Sequence, residues 1–308
     1  MTSAPGWVSA QSLELAKQRA RYQAAPLAFK GRYLVSISDA DMLASAYVDG
    51  RLGAREGQDT INVVPLTGHA RDFRAYAATA SNSVAGPPTA VVVTPDGRYA
   101  LVVETFRPRP AGDEQTQTFA DLRQGNHITV VDLSDPTRPR PVQALAIAER
   151  PTSVSINHDG SLVAVTFHPG GAGTETPLAL IPFERGRLGQ PTYPIVPRMP
   201  PGDELVHAEW HPTAQVLALV NNTGAEVSLV QVGRQGTSFE LQPNGNVVRV
   251  EKFPFMARFT ADGRHVLVNN LFWGADVEGT WSEAPRGSVV SIRLAAGTQA
   301  DGSPRHAL

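Results

Sequence analysis

From about residue 30 onward, apolar and polar residues alternate in short runs, the period-2 pattern of half-buried strands, and long 3.6-period stretches are missing. The runs come in pairs. Pro88 to Glu104 reads as a strand, a turn at Asp96-Gly97 and a second strand, and Pro151 to Phe167 repeats it without a gap around Asp159-Gly160. Val206 to Asn221 and Phe255 to Asn270 are two further copies, with turns at His211 to Ala214 and at Asp262-Gly263. A partial copy runs from Gly31 to Ser38.

Each pair is followed by more strand-like sequence, such as His127 to Leu133, Val142 to Ala148 and Ser288 to Leu294. Residues 31, 97, 160, 214 and 263 mark one turn column, spaced 66, 63, 54 and 49 apart. Those periods match or exceed the roughly 40–50 residues of a four-stranded propeller blade, the excess falling in loops. The expected fold is all-β, a propeller of four-stranded blades with five units visible. Asp-Gly between two alternating runs predicts type I′ hairpins, so Asp96, Asp159 and Asp262 are expected to form turns in preference to acting as acids.

Two segments lie outside this pattern. Residues 1–28 are expected to be an N-terminal extension, with a short helix over Ser9 to Gln23, ahead of a propeller domain at 29–308. After Leu294, Gly297 to Leu308 reads as a blade interrupted before its outer strand.

Composition narrows the function classes. With 27 basic against 29 acidic residues there is no global field to draw the chain to nucleic acid. Cysteine is absent, which removes disulfides, thiolate chemistry and Cys-ligated zinc. No stretch approaches the roughly 20 apolar residues of a membrane span, and the start lacks the apolar core of a signal peptide. The expectation is a soluble protein, cytoplasmic by default, without cofactor or metal. His207 and His211 have a suggestive spacing, but four strand residues span about 13 Å, too far for one zinc ion.

The stretch Gly263-Arg264-x-x-Leu267-Val268-x-Asn270, with Gly97 to Glu104 and Gly160 to Phe167 as variants, resembles the YVTN-type repeat of bacterial propellers related to the lactonase-like family. Such propellers usually have seven blades. The resemblance therefore leaves two architectures open, a five-bladed ring and a seven-bladed propeller truncated at its C-terminus. The motif identifies architecture and not activity, since propellers host many functions.

The hairpins occupy one face, so the loops after the second strands and the links between blades emerge at the other. These loops are long, and long loops in compact domains usually carry function. Candidate ligand-binding residues on this rim are Arg107, Arg198, His207, Asn222, Arg258, Asn270, Trp273 and Trp281. Cations around a few carboxylates suit a small anionic or sugar-like ligand, and the tryptophans suit sugar stacking or a protein partner. Glu104 and His168 are the candidate catalytic groups, Glu104 with an ion pair to Arg107 as its competing role and His168 as a potential general base. Asn221 and Asn270 end second strands, where the amide is expected to fasten adjacent loops. Gly170 to Gly173 lacks the setting of a dinucleotide loop and reads as a flexible turn. The sequence thus favours a non-catalytic binding propeller, with a metal-independent lactonase-like hydrolase, implied by the resemblance, as the alternative.

Overall fold

The computed structural model describes residues 31–40, 46, 50–66, 72–82, 89–113, 115–271 and 287–308. The predicted N-terminal helix, Trp273 and Trp281 lie outside them.

Five antiparallel sheets follow one another along the chain. The first blade holds β1 (Tyr33–Ser38), β2 (Thr60–Pro65) and β3 (Tyr76–Thr79). The second holds β4 (Val91–Val93), β5 (Tyr99–Phe106), β6 (Gln124–Asp132) and β7 (Arg140–Ala146). The third holds β8 (Pro151–Ile156), β9 (Leu162–Phe167), β10 (Leu178–Glu184) and β11 (Arg187–Leu188). The fourth runs β12 (Leu205–Trp210), β13 (Val216–Asn221), β14 (Glu226–Gln235) and β15 (Ser238–Pro243), with β16 (Val248–Arg249) added alongside β14. The fifth comprises β17 (Pro254–Phe259), β18 (His265–Asn270), β19 (Ser288–Thr298) and β20 (Pro304–Ala307). Gly297 to Leu308 therefore supplies an outer strand to the last blade, where the sequence suggests an interruption. His306 fixes it: Nδ1 accepts from the Ala295 N–H at 3.1 Å and Nε2–H donates to the Asn244 carbonyl at 2.8 Å.

Burial explains the stacking. In the third blade β9 is buried at every position, because one set of side chains packs on the second blade and the alternate set on the fourth. The first strands β4, β8, β12 and β17 touch in succession, so they are the inner strands around the axis. The outward faces of the first and fifth blades are more open, with Leu34 58%, Leu267 41% and Val289 68% exposed. No fifth-to-first packing comparable to the other four junctions occurs among the described residues.

The hairpins differ from the predicted turn type. Gly97, Gly160 and Gly263 have φ of +68°, +74° and +67°, while the preceding aspartates stay out of the left-handed region. Each turn is a four-residue bend closed by an N–H of the glycine to the residue three before it, as in Gly97 N to Thr94 O at 2.7 Å. Only the last position of the bend needs glycine, as in a longer hairpin loop with left-handed closure and not as in type I′. The carboxylates tie the bend: Asp262 accepts from the Thr260 hydroxyl at 2.6 Å and the Arg264 N–H at 3.0 Å, which holds it below the usual carboxylate range. Neighbouring bends also bond, as the Tyr33 hydroxyl does to the Gly97 carbonyl and His211 Nε2 to the Gly263 carbonyl at 3.1 Å.

Candidate functional site

At the opposite face, one column of residues lies just past the second strand of each blade. The backbone N–H groups of His168, Asn222 and Leu271 bond the carbonyls of Arg150, Glu204 and Phe253, so these positions are equivalent in three successive blades. The side chains near this column join blade to blade. Thr105 Oγ1 donates to the Pro151 carbonyl at 2.6 Å, linking the second blade to the third. Asn222 Nδ2 donates to the Pro254 carbonyl at 2.9 Å, linking the fourth to the fifth. Between the third and fourth blades the link is different in kind: His168 Nδ1 stands against the Glu204 carboxylate.

His168 opens on a cleft of about 300 Å³ between those two blades. Ile195, Val196, Met199 and neighbouring prolines give the lining its apolar part, and Glu149, Glu175 and Asp203 supply carboxylates. The carboxylates are built in. Asp203 accepts from Asn221 Nδ2 at 2.7 Å and Glu149 from the Ala172 N–H at 3.0 Å. Among the described residues neither arginine nor lysine lines the cleft.

The glycine cluster owes its composition to this packing. Gly170 and Gly173 have φ of +81° and +98°, and a Cβ on Gly171 would meet the Glu149 carbonyl oxygen at 2.6 Å. The segment needs both left-handed turn positions, at Gly170 and Gly173, and the close approach of two backbones at Gly171.

A second constellation sits on the inner strands. His207 is fully buried on β12; its Nδ1 accepts from the Ala257 N–H at 3.2 Å, so Nε2 carries the proton. Arg258 Nη1 lies 3.4 Å from that Nε2, a contact of two donors, and both converge on Glu209 Oε2, at 2.5 Å from Nη1 and 3.8 Å from Nε2. Burial, reinforced by the Arg258 charge, lowers the His207 pKa to about 3, so the ring is neutral. Burial also raises Glu209 to about 7, outweighing the guanidinium that pulls it down. His207 and Glu209, two apart on β12, share a face, and His207 is buried where it accepts from the Ala257 N–H of the fifth blade.

The remaining candidates are separate. Glu104 is buried opposite His127, whose Nδ1 lies 3.6 Å from its Oε1. Arg107 instead donates from Nε to the Gln124 carbonyl at 3.0 Å and ties the base of its own loop. That loop is anchored over the first blade, with Arg109 donating to the Gly53 carbonyl at 3.0 Å and Leu52 packed by Phe119 and Leu122. Arg198 Nη1 reaches the Gly245 carbonyl at 3.0 Å, on the outer side of the fourth blade. Asn221 bridges Asp203 and Gly224 and so fastens loops, whereas Asn270 Nδ2 donates at 3.1 Å to Ser288 Oγ, its partner on the adjacent strand. Of the candidates among the described residues, only His207 and Arg258 meet each other. Glu204 and Glu209 complete the two constellations; alternation marks Glu209 as a face-mate of His207, whereas Glu204 lies 36 residues beyond His168 and no local signal joins them.

Among the described residues no three His, Asp or Glu side chains are grouped to hold a metal ion, and no helix is long and apolar enough to cross a membrane.

No family model matches the chain, and no curated protein matches it. Solved structures do. The periplasmic gluconolactonase of Pseudomonas aeruginosa aligns over 91% of this chain and 69% of its own length, with 13% identity and a TM-score of 0.55. A protein of Bacteroides uniformis assigned provisionally as a 6-phosphogluconolactonase aligns over 90% and 66%, with 13% identity and a TM-score of 0.53. A Desulfotomaculum acetoxidans protein of unknown function covers 81% and 62%, at 13% identity and a TM-score of 0.52. The chain thus spans about two thirds of the length of these neighbours. At such identities the likeness concerns architecture, and the chain has the propeller fold that lactonase-like proteins share.

Proposed function

We propose that the chain is a ligand-binding propeller whose cleft between the third and fourth blades takes an uncharged, hydroxyl-rich molecule of the sugar or sugar-lactone class. The observation that carries this reading is the cleft itself, whose lining combines apolar Ile195, Val196 and Met199 with His168, Glu149 and Asp203. Sugar rings present C–H faces to apolar walls and hydroxyls to acceptors. A phosphate or carboxylate would meet the Glu149 and Asp203 carboxylates, while the guanidinium of Arg150 at the cleft's edge is engaged by the Pro169 carbonyl, so within the ligand range expected from the sequence the neutral members fit better. Calorimetric titration with D-glucono-1,5-lactone, glucose and 6-phosphogluconate tests it. Heats of binding are expected for the neutral compounds, weakened about tenfold or more by His168→Ala. Preference for the phosphorylated compound, or no heat with any, contradicts the reading.

The second reading is a lactonase-like hydrolase. It is favoured by one feature, the carboxylate of Glu204 against Nδ1 of His168, a residue that lines the cleft. In that reaction His168 takes a proton from water as it attacks the lactone carbonyl, and the ring oxygen leaves with that proton. Turnover of glucono-1,5-lactone above the buffer rate, lost in His168→Ala and kept in Glu104→Gln, is the result that would select it. Binding without turnover selects the first reading.

A further inference from the structure

Three blade junctions use the same column of positions, and one breaks the rule. Thr105 and Asn222 close theirs with a neutral donor to a backbone carbonyl, bonds that need no particular protonation state. Their counterpart His168 turns its Nδ1 to a carboxylate, Glu204. The backbone of Glu204 is independently fixed: its N–H bonds Thr223 Oγ1 at 3.0 Å and its carbonyl accepts from the Asn222 N–H at 2.9 Å. Its side chain is therefore available to serve the imidazole. Among the described residues no protein group bonds His168 Nε2, and His168 lines the cleft.

We propose that Glu204 is a positioning residue that keeps the proton of neutral His168 on Nδ1, so that Nε2 faces the cleft as an acceptor and the ligand must present an O–H or N–H donor there. A carboxylate accepts and cannot donate when ionised, so an imidazole nitrogen beside it is stabilised as the protonated one, and the other nitrogen keeps its lone pair. Nε2, Glu149 and Asp203 all accept, and the lining hydroxyls of Thr174 and Thr176 donate to the Thr176 and Leu178 carbonyls, so the side chains of the cleft face a ligand chiefly as acceptors. Their complement is a polyol and not an oxyanion. This inference rests on the cleft being the ligand site, but the tautomer is a property of the protein alone.

The test is a long-range 1H–15N correlation spectrum of the 15N-labelled full chain near pH 7.5, with the His168 signals assigned by their loss in His168→Gln. The expected result is a protonated Nδ1 and an unprotonated Nε2 in the native chain and in Glu204→Gln, whose amide oxygen still accepts. In Glu204→Ala the proton is expected to shift to Nε2, and affinity for glucono-1,5-lactone to fall about tenfold while the blades remain folded. A native spectrum with the proton on Nε2, or one unchanged in Glu204→Ala, overturns the proposal. So does an unchanged lactone affinity once the tautomer has shifted. A native chain with the expected tautomer but no lactone binding would leave Glu204's role intact and sink the ligand reading instead.

Discussion

Replacing Glu209 with glutamine tests the inner-strand constellation through its effect on stability against pH. In the folded chain Glu209 has a pKa of about 7 against an ordinary value of 4.5, so folding favours its protonated form. That contribution is fully present below pH 4.5 and is lost as pH rises to 7; at about 1.36 kcal/mol per unit it amounts to roughly 3 kcal/mol. His207 has the opposite sign: with a folded pKa of about 3 against 6.5, it favours folding above pH 6.5 and loses that contribution as pH falls toward 3. Between pH 4.5 and 6.5 the two slopes cancel, and the native chain should show a flat optimum from this pair. Glu209→Gln retains an acceptor for Arg258 but cannot titrate, so only the His207 slope remains. Urea unfolding at about pH 4.5 and 7.5 should show the variant gaining about 3 kcal/mol relative to the native chain across that interval. An equal difference at the two pH values would refute the reasoning, since it would mean that Glu209 titrates alike in folded and unfolded chains.

Three further outcomes follow from the geometry. Gly171→Ala places a methyl 2.6 Å from the Glu149 carbonyl oxygen and should lower the thermal midpoint and open the cleft, read by calorimetry and by faster amide exchange in 170–176. Asn222→Ala removes the bond to the Pro254 carbonyl and should cost about 1 kcal/mol in denaturant unfolding, with no effect on a ligand held between the third and fourth blades. Phe167→Ala empties a fully buried position beneath the cleft and should cost about 3–5 kcal/mol, measured in the same way.

The fold was legible because it is written locally. Alternation over Val91 to Val103 and Val163 to Phe167, with a glycine turn between partner strands, is a short-range signal that each blade repeats. The turn type was misread because Asp-Gly alone does not reveal that the bend begins two residues earlier, at Thr94 or Thr260, where side chain and backbone together close it. The site was less legible. His168 is marked by its place after the apolar run Ala164 to Phe167, whereas no local pattern singles out Arg258 from the other rim candidates. Their carboxylate partners come from the next or preceding blade, and such pairing depends on how blades dock and not on sequence spacing. The buried state of His207 has the same origin, since it arises where the neighbouring blades pack on β12 and the fifth supplies the Ala257 N–H to its ring.

A crystal structure of the chain with D-glucono-1,5-lactone bound tests the central claim most directly. The account predicts the sugar in the cleft between the third and fourth blades, with a hydroxyl about 2.7–3.2 Å from His168 Nε2 and a carbon face against Met199 and Val196. Sugar density beside Arg258 on the inner strands, with the cleft empty, would contradict it.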